Sequence, residues 1–157
     1  MELTKIVILT GAIQSGKTTT LLRWCEHKRV GGFLTPVVTG KRMLFTLPDK
    51  VYAPFEADQA SEESMAVGRF YLLKSAFAEM NNRLVQQNPE QLDWLIVDEV
   101  GPLELSEKGC YAGLVHAINH CTTPLLCVIR AGLVQQVIDK FNLTDAIVVE
   151  KDFFAEK

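Results

Sequence analysis

The chain has 157 residues, 48% of them hydrophobic and 22% charged, which suits one compact domain over residues 1–157 with a sizeable core. Sixteen basic and nineteen acidic residues leave a net charge of −3, so no broad cationic field is available to neutralise a nucleic-acid backbone. No apolar run approaches the roughly 20 residues that cross a bilayer, and Ile6–Leu9 is too short for a secretory leader; a soluble cytoplasmic protein is expected.

The first element is an apolar strand over Ile6–Thr10, and the segment after it reads Gly11-Ala12-Ile13-Gln14-Ser15-Gly16-Lys17-Thr18-Thr19. This fits GxxxxGK[ST] without a mismatch, between a strand and a helix that starts near Lys17. Such a loop wraps its backbone N–H groups around a phosphate, which needs glycine where a side chain would collide or φ must be positive; Gly11 and Gly16 supply that. The helix points its unpaired N–H groups and positive dipole end at the same phosphate, Lys17 adds a full charge toward the β and γ oxygens, and the Thr18 hydroxyl is the expected Mg²⁺ ligand.

That helix is predicted from Lys17 to about Arg29, with Leu21, Leu22 and Cys25 inward, Trp24 as packing and Gly31-Gly32 as its stop. Phe33–Val38, Arg42–Thr46 and Val51–Phe55 read as short strands of an antiparallel insertion. Lys28-Arg29 and Lys41-Arg42 read as solvated charges. Acidic, short-chained Ala57–Ala66 reads as a surface loop. From Phe70 a brief apolar stretch passes into a helix carrying Phe77, Met80 and Leu84, which ends before Asn88-Pro89.

Three near-continuous apolar runs follow, Trp94–Val97, Leu125–Ile129 and Ala146–Val149, as expected of parallel strands covered on both faces. Predicted helices over Glu107–Asn119 and Leu133–Phe141 separate them. The four cysteines, Cys25, Cys110, Cys121 and Cys127, form no CxxC and are expected buried and reduced. His116 and His120 stand four apart on a predicted helix beside Cys121, but without the glutamate of HExxH, and incidental placement explains them better than zinc. The fold expected is a single α/β domain with a mostly parallel central sheet and a short antiparallel extension.

The second chemical signal is Leu95-Ile96-Val97-Asp98-Glu99, an apolar strand ending in two acids. Asp98 is placed to hold the Mg²⁺ shell and Glu99 to orient or deprotonate a water that attacks the γ-phosphate, a pairing that favours hydrolysis over transfer. Arg130, directly after a strand, is expected on the same edge as a cis arginine finger or phosphate sensor, with Arg69 as its rival.

Asp98-Glu99-Val100-Gly101-Pro102-Leu103-Glu104-Leu105 resembles the DE-[IV]-G-x-[ML]-E-L signature of a small P-loop nucleoside-triphosphatase family, and the likeness extends to the phosphate loop, Gly32-Phe33-Leu34-Thr35 and Val67-Gly68-Arg69-Phe70-Tyr71. The resemblance implies a three-layer P-loop sandwich, Mg²⁺ dependence, slow hydrolysis of ATP, GTP and other nucleoside triphosphates, and functional roles for Lys17, Thr18, Asp98 and Glu99. The chain departs from it near the C-terminus, where Glu150-Lys151-Asp152 replaces an Asn-Arg-Asp element associated with the base, and at Arg69, where the family often has lysine. Glu104 belongs to the signature and is read either as a brace on backbone N–H groups or as a metal contact. Two other activities share this loop: a small-molecule or nucleotide kinase, which would want an arginine-rich lid, and a nucleotide-dependent switch whose Val100–Ser106 loop signals to a protein partner.

Overall fold

The computed structural model describes residues 5–11, 16–85 and 92–153. Ala12–Ser15 of the phosphate loop, and the Asn88-Pro89 helix stop, lie outside these described residues. The main sheet is built from β1 (Ile6–Gly11), β2 (Val30–Leu34), β3 (Val37–Val38), β4 (Lys41–Leu47), β5 (Val51–Pro54), β9 (Trp94–Asp98), β10 (Leu125–Arg130) and β11 (Ile147–Glu150). Its order is β11-β1-β10-β9-β2-β4-β3, with β5 also on β4. The five strands from β11 to β2 run parallel, and β4 turns the sheet antiparallel. A second sheet of three antiparallel strands, β6 (Glu56–Ala57), β7 (Ser64–Val67) and β8 (Phe70–Leu73), packs beside it.

Side chains alternate across a strand, and the two resulting rows enter two separate cores. Val7, Leu9, Ile96, Leu126 and Val128 pack on one face with Leu21 and Trp24 of α1 (Lys17–Trp24). On that side Trp24 meets Trp94 edge to face, with ring centroids 5.5 Å apart, so its role is packing. Ile8, Leu95, Val97, Leu125, Cys127 and Ile129 pack on the other face. There they meet α2 (Lys74–Val85), α4 (Tyr111–His120) and α5 (Val134–Phe141), the three layers the resemblance implies. A short α3 (Pro102–Leu105) begins on Pro102, where a missing N–H costs nothing.

Several boundaries differ from the sequence reading. The first helix stops at Trp24 and passes through a 3₁₀ turn, Cys25–His27. Gly31-Gly32 is not its stop: both lie inside β2, which runs parallel to β9 and antiparallel to β4. Gly32 has φ +92°, and a Cβ there would stand 2.0 Å from the Ile96 carbonyl oxygen, so only glycine admits the close approach of the two strands. Ala57–Ala66 is more than a loop, because Glu56–Ala57 and Ser64–Val67 flank β8. The helix read from Glu107 starts at Tyr111, since Glu107 and Gly109 take φ near +63° and +64° and break the helical path. Leu133 ends a 3₁₀ turn, Ala131–Leu133, and the α-helix after it begins at Val134.

The β4–β5 turn is clamped to α2. Arg83 gives two parallel hydrogen bonds to Asp49, 2.9 Å to Oδ1 and 3.1 Å to Oδ2, and its Nε meets Glu79 at 2.6 Å. The fork geometry of guanidinium on carboxylate holds direction as well as charge, so the hairpin that carries Arg42 is set against the core.

Candidate active site

Parallel strands deliver their carboxyl ends to one edge, where open α/β sheets take ligands. The register is explicit: Gly11 lies opposite Arg130 across β1 and β10, and Asp98 lies opposite Val128 across β9 and β10. Gly16 caps α1 with φ +85°, the left-handed conformation expected of the loop. Lys17 is 6% exposed and its Nζ donates to the Gly11 carbonyl at 3.2 Å, so the lysine folds back along the loop it follows. Thr19 lies in the first turn of α1.

Asp98 is the centre of the arrangement. Its Oδ2 accepts the Thr18 hydroxyl at 3.0 Å and the Thr35 backbone N–H at 3.1 Å, and the Thr35 hydroxyl donates to the Asp98 carbonyl at 3.3 Å. Burial pushes the carboxyl up to about 6; the Thr35 N–H opposes this, the Glu99 charge adds to it, and the Thr18 hydroxyl and the Arg42 charge oppose it. Among the described residues it forms no ion pair. A buried carboxylate held by hydroxyl and amide donors alone, beside a threonine oxygen, is a hard-oxygen donor set of the kind a Mg²⁺ ion takes together with phosphate oxygens.

Glu99 is half-exposed and reaches Arg130, whose Nη2 lies 3.4 Å from Oε1. That is longer than a close charge-assisted bond of about 2.7–2.9 Å. The Arg130 Nε is buried and has no hydrogen-bond partner among the described residues. Arg69 stands elsewhere, next to the β7–β8 turn with its guanidinium 5.0 Å over the Phe70 ring. Among the described residues no hydrogen bond or ion pair joins Arg69 to Lys17, Asp98, Glu99 or Arg130.

Glu104 takes the bracing role of its two readings. Its Oε1 accepts the Gly101 N–H at 2.9 Å and its Oε2 the Cys110 N–H at 3.0 Å, tying the start of α3 to the start of α4. Burial raises its pKa against those two hydrogen bonds. The C-terminal departure also acquires a place: after β11 a 3₁₀ turn, Lys151–Phe153, sets the Lys151 ammonium 3.6 Å from where a Cβ on Gly16 would be. His116 and His120 stack at 4.8 Å between ring centroids, whereas Cys121 is buried with its Sγ donating to the Thr123 carbonyl at 3.7 Å. Among the described residues no three metal-ligating side chains cluster.

Two residues without a role in the sequence reading enter the site. Thr35 was visible only as part of a motif; the signal is its place, since β2 pairs beside β9 with Phe33 opposite Val97 and the next polar side chain arrives next to Asp98. Arg42 is exposed, as its reading as a solvated charge expects, and its Nη1 also donates to the Thr35 carbonyl at 2.9 Å. Its neighbour Lys41 does pair at the surface, with Asp58. No helix among the described residues is long and apolar enough to cross a membrane.

The chain finds no match among curated proteins by sequence. Among solved structures it superposes on THEP1 from the hyperthermophile Aquifex aeolicus with a TM-score of 0.70 and 24% identity, covering 92% of this chain and 88% of that one. It superposes on a human cancer-related nucleoside triphosphatase with a TM-score of 0.72 and 20% identity, covering 94% and 88%. Identity this low carries the fold alone, an α/β architecture around a mixed, mostly parallel sheet. The family model described as NTPase matches residues 6–151, nearly the whole chain, and the chain therefore belongs to the NTPase family.

Proposed function

We propose that this protein hydrolyses nucleoside 5′-triphosphates, ATP and GTP among them, to nucleoside diphosphate and phosphate. The observation that carries the reading is the convergence of Thr18 and Asp98 at 3.0 Å, with Glu99 as the next residue, at the sheet edge where α1 begins. Gly11, Ala12, Ile13, Gln14, Ser15, Gly16, Lys17, Thr18 and Thr19 cradle the phosphates. Lys17, whose Nζ donates to the Gly11 carbonyl, would supply a positive charge to the β and γ oxygens of a bound nucleotide. Thr18 and Asp98 supply the protein oxygens for Mg²⁺, which when bound neutralises charge on the phosphate oxygens.

Glu99 orients the attacking water and holds its proton on a carboxylate oxygen. Being half-exposed rather than buried, it is open to solvent at the point where water must enter. Arg130 is the proposed cation for charge that develops in the transition state, because it reaches Glu99 from the adjoining strand end. Arg69, stacked on Phe70 at a hairpin turn, is the weaker candidate for that role.

Phosphate release from ATP, GTP, CTP and UTP with Mg²⁺ tests this directly, with nucleotide binding followed in parallel. Glu99→Gln should lower turnover by ~10²-fold or more while binding persists. Binding without phosphate release by the wild type would sink the hydrolase reading and bring forward phosphoryl transfer or switching. Arg130→Ala should lower kcat at least ~10-fold with little change in KM, and full turnover in a folded variant removes it from the mechanism.

A further inference from the structure

The antiparallel hairpin carries one side chain toward the phosphate edge. Arg42 lies on β4, in the register that places Val37 opposite it on β3. Its backbone N–H is held by Glu56 Oε1 at 3.2 Å, and the hairpin turn is clamped to α2 through Arg83 and Asp49. Nη1 then reaches the Thr35 carbonyl at 2.9 Å. Thr35 grips Asp98 twice, by its N–H on Oδ2 and its hydroxyl on the main-chain carbonyl. Oδ2 is thereby occupied by two donors, Thr18 and Thr35, and Oδ1 takes no hydrogen bond among the described residues. The backbone of Thr35 is therefore held at two points, by Arg42 at its carbonyl and by Asp98 at its N–H.

We infer that Arg42 is a positioning residue for the Asp98 carboxylate: through Thr35 it sets which oxygen of Asp98 is engaged and which is presented to a metal–phosphate unit. The inference rests on the reading of Asp98 as a metal carboxylate. Partners that orient a ligating side chain govern metal affinity without touching the metal, and their loss typically costs ~10–100-fold. The charge of Arg42 works in the same direction, favouring the ionised form of Asp98. A guanidinium is suited to this, since it offers a second, differently directed N–H while remaining charged.

The test is the affinity for adenosine 5′-(β,γ-imido)triphosphate, and for its guanosine counterpart, measured with excess Mg²⁺ and again with EDTA. The wild type should bind more tightly with Mg²⁺. Arg42→Ala should lose ~10-fold of that Mg²⁺-dependent gain while its affinity in EDTA stays within about twofold of the wild type. Arg42→Lys, which keeps a donor for the Thr35 carbonyl, should recover part of the gain. Thr35→Val, which removes the hydroxyl but keeps the N–H, should reproduce a share of the loss, and the double variant should lose less than the two shares together. Arg42→Ala with an undiminished Mg²⁺ gain overturns the inference, even if its melting temperature falls. An equal loss in EDTA also overturns it, because Arg42 then contacts phosphate directly. A wild type without any Mg²⁺ gain overturns the metal reading of Asp98, and this inference with it.

Discussion

Asp98 has two opposed tasks, and they separate by pH. Its folded pKa of about 6 lies above the ~3.9 of an exposed aspartate, so between those values the folded state binds more protons than the unfolded one. Stability from this group is thus complete below about pH 4 and is lost as the pH rises through about 6. At pH 7.5 the metal-free protein carries a buried charge at a cost of at most about 3 kcal/mol. Asp98→Asn removes that cost while its side-chain carbonyl still accepts from Thr18 and Thr35. Urea unfolding in EDTA should accordingly find the Asn variant more stable than wild type at pH 7.5, and the difference should shrink toward pH 4. Mg²⁺ with a nucleoside triphosphate should stabilise the wild type and leave the variant nearly unchanged, along with loss of phosphate release. An Asn variant less stable than wild type at pH 7.5 would mean that the carboxylate is satisfied without a cation.

At the scale of elements, the phosphate edge depends on how closely β2 approaches β9. β2 brings Thr35 beside Asp98, and Gly32 permits that approach by its φ of +92° and its lack of a Cβ beside the Ile96 carbonyl. Gly32→Ala should destabilise the protein by at least about 3 kcal/mol, from left-handed strain together with displacement of the strand pair. In a variant that still folds, the separation of β2 from β9 should show first in Mg²⁺-dependent binding. Unchanged denaturation midpoint and unchanged binding would dissolve the argument. This glycine pair also marks the limit of local reading: Gly-Gly after a helix is ordinarily a stop signal, and only the pairing of Val30–Leu34 between two other strands reveals an interior strand. The apolar runs of β1, β9 and β10 were legible because burial on both faces writes itself into composition. The second sheet was not, because β6 and β7 are short, half-exposed strands whose residues carry no alternating apolar pattern. In the candidate site, Lys17, Thr18, Asp98 and Glu99 are proposed from motif spacing, whereas Thr35 and Arg42 reach Asp98 through strand register, which a local window does not contain.

Across the whole molecule, the four cysteines report on cohesion. Cys25, Cys110, Cys121 and Cys127 are buried and form no disulfide, and they are distributed over both cores, with Cys25 under α1 and the other three on the opposite face. Burial pushes Cys25 and Cys127 up to about 12, and drives Cys110 upward with help from the Glu104 charge. A buried thiol is out of a reagent's reach, so aromatic disulfide reagents should label none of the four in the native state and all four in denaturant. Because the two cores share one sheet, labelling should track opening of the whole domain rather than of one layer. A ligand that binds only the folded state then slows labelling by mass action, by about 2.7 kcal/mol when present at 100 times its dissociation constant. Mg²⁺ with a non-hydrolysable nucleoside triphosphate should therefore protect all four thiols together, including Cys121, which lies after α4 and away from the phosphate edge. Protection confined to Cys25, under the helix proposed to receive the phosphates, would show instead that α1 opens by itself and that the nucleotide secures one layer of the fold.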